Sequence, residues 1–254
     1  MTESLSIVEQ ERAQASEQAT ARAIANLQRA GYEHATPEII EFLSKNFAPL
    51  SKMRGLLKQY GDSINGITDN VDADEEQRIE AYAELRNHIV PQYEEAAKEL
   101  EHELSVRREE LQQDVFGIPA TPAASPADRH AAAQDYRDAL YRLADATPEQ
   151  LDKAARLAEA SGDTMLLRAV GLIADQRGDR ATVERYLERA GEKTRERYTM
   201  RGMLPTPSTM RALTRSFEPP RIGRAALAPN EHVLDARRRA ERQRVNRDDA
   251  IFRS

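Results

Sequence analysis

Glu99-Leu-Glu-His102 has the strongest claim to chemistry in this chain. A carboxylate and an imidazole three residues apart leave one helix face together, the Glu-x-x-His spacing with which di-iron helical bundles hold metal. Those sites take two such motifs and two further glutamates, whereas this chain has five histidines and one copy. Glu84 and His88, at i and i+4, more simply form a surface pair. Arg177-Gly178-Asp179 spells the tripeptide integrins read, but a glycine closing one helix and an aspartate capping the next account for it. Gly191-Glu-Lys-Thr194 lacks the full glycine spacing and the preceding strand of a phosphate-binding loop. There is no Gly-x-Ser-x-Gly, no His-Glu-x-x-His and no acid/base constellation. The absence of cysteine removes thiolate nucleophiles, disulfides and Cys-ligated metals. The expectation is a protein that is not an enzyme, with no catalytic, cofactor-binding or metal-binding residue.

Charge supplies the other candidate. Residues 192–254 carry 15 Lys+Arg against 8 Asp+Glu, while all 254 residues carry 37 against 43, so a basic end is joined to an acidic body. Glu231 to Arg247 can form a helix dense in arginine. The expected partner-binding residues are Arg237, Arg238, Arg239, Arg242 and Arg244, with Leu234 and Val245 as apolar anchors. An arginine helix neutralises phosphates, or it docks on an acidic protein surface, where charge sets encounter rate and register. Interleaved Asp235, Glu241, Asp248 and Asp249, and the lack of stacking aromatics, favour the protein partner and keep nucleic acid as the alternative.

The elements that would position these groups read as helices throughout. Residues 4–30 form an alanine-rich helix with a thin apolar stripe, suited to lying close against another helix. Thr36-Pro37 opens two short helices broken near Ala48-Pro49, with Gly61 and Gly66 marking the exit loop. Residues 72–114 read as one long helix, kinked at Pro91, whose apolar residues step by three, four or seven. That narrow seam, Tyr82, Leu85, Ile89, Tyr93, Leu100, Leu104 and Leu111, is the expected self-association surface of a homo-oligomer. Gly117 to Ala127 has three prolines and no charge, which makes it a linker. Beyond it, Thr147, Asp163 and Asp179 are N-caps spaced 16 residues apart, with Gly162 and Gly178 standing before the second and third. The pattern resembles tetratricopeptide-type hairpins with a shorter period, and a small helical bundle is expected from it, with a solenoid-like peptide groove as the alternative. From Arg195 onward, five prolines among scattered arginines read as an extended arm with short anchors.

The expected fold class is therefore all-α: an elongated protein with a long coiled-coil-like helix, a small helical-hairpin bundle and a disordered basic C-terminal arm. Its regions are 1–116, a linker at 117–127, a bundle at 128–194 and an arm at 195–254. No stretch reaches the ~20 apolar residues of a membrane span, and the polar, acidic N-terminus is unlike an export signal. A cytoplasmic protein without membrane contact is expected. This layout of an acidic, cysteine-free, elongated helical chain with a flexible joint and a short basic C-terminal helix resembles bacteriophage capsid scaffolding proteins. The resemblance covers the arrangement of the whole chain and rests on no motif. It implies that Arg237, Arg238, Arg239, Arg242 and Arg244 carry coat docking and that the Tyr82 to Leu111 seam carries self-association.

Overall fold

The computed structural model describes residues 7–70, 72–119 and 125–229, with residues 235, 238, 239 and 242 of the C-terminal segment. The described residues form ten α-helices and one short 3-10 turn, without a strand. In chain order they are α1 (Ile7–Arg29), α2 (Pro37–Asn46), α3 (Ala48–Asp69), α4 (Glu75–Phe116), α5 (Pro126–Leu143), α6 (Pro148–Ser161), α7 (Thr164–Arg177), α8 (Arg180–Ala190), α9 (Glu192–Met203) and α10 (Pro207–Ser216). The turn spans Arg224–Leu227. The fold is all-α.

Proline placement explains much of the segmentation. Helices α2, α3, α5, α6 and α10 each carry proline in their first two positions, where its missing N–H has no helical partner to lose and its φ is already helical. Pro207 thus starts a helix in a stretch expected to be an extended arm. Conversely, α3 runs through Gly61 and Gly66 to Asp69, so the exit loop lies after residue 69 rather than at the glycines. Both glycines are surrounded by open space and lie within regular helix, and about 1 kcal/mol of propensity each is too little to end a helix held by packing.

The chain divides into two compact units, Met1–Glu103 with Pro205–Ser254, and Leu104–Leu204. This partition differs from the regions expected from composition. The proline-rich boundary at 117–127 falls within the second unit, and the stretch from Pro205 belongs with the N-terminal helices.

In the first unit α1 lies against α10, as its small residues suggest. Ala19, Ala23 and Leu27 are buried, and Asn26 Nδ2 donates to Oγ of the fully buried Ser216 at 3.0 Å. Helices α2 and α3 break at Phe47, which is extended, and gather Ile40, Leu43, Leu50, Met53 and Tyr60 into a core. The start of α4 is capped reciprocally: Gln77 N donates to Asp74 Oδ1 at 2.8 Å and Asp74 N to Gln77 Oε1 at 2.9 Å.

In the second unit the 16-residue period appears as three caps. Thr147, Asp163 and Asp179 accept from the backbone N–H of Gln150, Leu166 and Thr182 at 3.3, 2.9 and 3.2 Å. Gly162 and Gly178 close α6 and α7 with φ of 68° and 73°, left-handed backbone that a side chain would strain. Leu151, Val170, Ala174, Val183 and Tyr186 are buried along the shared register. Gly171 is needed for a different reason. A Cβ there would sit 2.7 Å from the Tyr186 ring, so its absence lets α7 approach α8.

Candidate interaction surface

Three of the expected tail residues lie among those described. Arg238, Arg239 and Arg242 are helical and exposed, and Arg238 faces Asp235 at 3.5 Å, one helical turn away. An exposed i,i+3 pair of this kind contributes a few tenths of a kcal/mol at most, which leaves the arginines available. Leu234, Arg237, Arg244 and Val245 lie outside the described residues.

The chain leading to these arginines is fastened, not loose. Met210, Leu213, Phe217 and Leu227 are buried. Three tyrosines then bind its backbone. Tyr93 donates to the Thr214 carbonyl at 2.6 Å, Tyr60 donates to the Pro220 carbonyl at 2.6 Å, and Tyr82 accepts from the Ile222 N–H at 2.8 Å. Arg86 adds a longer contact to Pro220 at 3.5 Å. These bonds meet the requirement that backbone groups at a packed, non-helical exit find partners. Burial, reinforced by the neighbouring Tyr82 hydroxyl, pushes Tyr60 up to about 12. Burial, followed by the charge of Glu218, also raises Tyr93. Both phenols are therefore neutral donors at ordinary pH. The expected arm is thus anchored as far as Leu227: Met210 and Leu213 lie on one face of α10, Phe217 caps its end, and Leu227 is buried.

The seam assigned to self-association is spent inside the folded chain. Ile89, Leu100, Leu104 and Leu111 are at most 1 % exposed and Tyr93 is buried, while Tyr82 and Leu85 are half-buried. A narrow apolar stripe has the same spacing whether its partner is another copy or the chain's own helices. Here the folded chain itself covers most of it, from Ile89 to Leu111.

Glu99 and His102 are both exposed, and Glu99 lies 4.0 Å from Lys52. His88 meets Gln92, its neighbour at i+4, at 3.0 Å. Among the described residues no group of three or more His, Asp or Glu side chains gathers as a metal site would require. The Arg177-Gly178-Asp179 tripeptide is structural at every position: Arg177 donates to the carbonyls of Ala144 and Ala146, Gly178 takes the left-handed turn, and Asp179 caps α8.

Sequence reasoning missed the exposure of the apolar side chains Tyr141 on α5 (86 % exposed), Leu157 on α6 (62 %) and Val106 on α4 (40 %). A signal was present for Leu157, which falls outside the buried registers of the 16-residue repeat. The described residues include no helix long and apolar enough to cross a membrane. Comparison with known proteins finds no matching protein-family model, no matching curated protein and no matching solved structure.

Proposed function

We propose that this chain is a non-enzymatic assembly or interaction protein of the scaffolding kind, acting in the cytoplasm, whose arginine-dense C-terminal segment docks on an acidic protein surface. One observation supports the reading above others: the backbone is pinned as far as Ile222 and packed at Leu227, and exposed arginines follow at 238, 239 and 242. A fixed stem with a charged end limits the volume the end explores, which raises its effective concentration near a partner bound to the same assembly. Electrostatic complementarity then sets encounter rate and orientation. Because the folded chain covers most of the α4 seam, the proposal assigns docking to the tail.

The test separates protein docking from nucleic-acid binding. The intact chain is titrated at about 0.15 M salt, where the Debye length is ~8 Å and distant charges are screened, against polyglutamate and against duplex DNA of equal charge. The reading expects Leu234→Asp and Val245→Asp to weaken polyglutamate binding by about tenfold or more, because apolar anchors fix the docked helix. Binding of duplex DNA that is tighter than that of polyglutamate, indifferent to these substitutions and steeply salt-dependent would replace this reading with a nucleic-acid one.

A further inference from the structure

Between the end of α3 and the start of α4 lies a cleft of about 620 Å³, within the size range of small-molecule sites. Ile67, Ala73 and Ala81 give it apolar walls, and Asn70 and Gln77 give it polar ones. Gly66, also in the lining, leaves space open where any other residue would place a side chain.

Arg78 lines this cleft and is only 6 % exposed. One terminal nitrogen donates to the Ala73 carbonyl, while Nε is buried without a hydrogen-bond partner. None of the described carboxylates forms an ion pair with it. A buried guanidinium ordinarily carries a bidentate carboxylate or phosphate, because an uncompensated buried charge and an unmade hydrogen bond each cost stability.

We propose that this cleft binds a small monocarboxylate with an apolar body, its carboxylate on Arg78 and its body against Ile67, Ala73 and Ala81. Single charge follows from the surroundings. Asp72 lies in the lining, Asp74 caps α4, and Glu75 and Glu76 occupy its first turn, so the one cation can offset a single negative charge and no more. The site is independent of the arginine tail and stands or falls apart from the docking reading.

The test uses the full chain in solution, with backbone and arginine side-chain NMR resonances followed during titration with benzoate, with benzamide as its neutral isostere, and with inorganic phosphate. Benzoate is expected to shift the amides of Gly66, Ile67, Ala73 and Ala81 and the Arg78 Nε–H saturably, with benzamide and phosphate at least about tenfold weaker, some 1.4 kcal/mol. A Gly66→Leu variant keeps Arg78 and improves helix propensity, yet places a side chain in the cleft; it is expected to abolish the shifts while retaining the folded spectrum. Absence of saturable shifts, an equal response to benzamide, or full benzoate binding by the Gly66→Leu variant would overturn the proposal. Stronger binding of phosphate at the same resonances would overturn the monocarboxylate assignment.

Discussion

Tyr93, midway along α4, donates a 2.6 Å hydrogen bond to the carbonyl of Thr214, 121 positions later in the chain. The bond is buried and forms the first of three tyrosine contacts that hold residues 214–222 in place before the basic segment. Tyr93→Phe removes the donor and keeps the ring, while the Thr214 carbonyl still accepts from the Phe217 N–H at 3.0 Å. A loss of about 0.5–1.5 kcal/mol is expected in chemical denaturation, with the slope on denaturant unchanged. A neutral result would mean that water replaces the phenol and that the exit is not held there.

Buried phenols set an alkaline limit. Burial pushes Tyr60, Tyr186 and Tyr198 up to about 12, with the Asp175 carboxylate adding to burial at Tyr198. An unfolded tyrosine ionises near pH 10, so above that pH the unfolded chain sheds protons that the folded chain retains. Stability from these groups is therefore complete below about pH 10 and declines from there to about pH 12. Denaturation midpoints measured from pH 8 to 11 check the sign: flat at first, then falling.

Two glycines with opposite surroundings give opposite outcomes. At Gly171 an added Cβ meets the Tyr186 ring at 2.7 Å, and Gly171→Ala is expected to cost about 1–3 kcal/mol through overpacking. At Gly61, inside α3, nothing lies within 4 Å, and Gly61→Ala is expected to raise stability by about 0.5–1 kcal/mol through helix propensity and unfolded-state entropy. Paired thermal melts decide both.

Leu100, fully buried, distinguishes a core seam from an oligomer seam. Leu100→Ala should cost about 2–5 kcal/mol, as large-to-small core changes do, and leave the solution mass of the folded protein unchanged. A fall in mass at unaltered stability would show instead that this side chain faces a second copy.

Local signals were legible wherever the physics is local. Thr147, Asp163 and Asp179 act on N–H groups three residues away, and Gly162 and Gly178 answer a local need for positive φ, so the repeat of caps in the sequence is the repeat in the structure. The break near Ala48-Pro49 and the restart at Ser125-Pro126 were legible for the same reason. What covers a face is not local. The stripe from Ile89 to Leu111 fits a second copy and an internal core equally well. The return of residues 205–229 to the first unit depends on Tyr60, Tyr82 and Tyr93, whose polar ends meet backbone more than 100 positions away. Arg78 gave no signal at all, since an arginine in the first turn of a long charged helix reads as solvated until its burial is known.

The central claim is that the basic segment after Leu227 is the docking element and is dispensable for the fold. The most direct measurement compares the intact chain with one ending at Ala228, by thermal melting and by affinity for polyglutamate at about 0.15 M salt. The account predicts coincident melts, with binding confined to the intact chain. Equal binding by both chains, or a shortened chain that fails to fold, would contradict it.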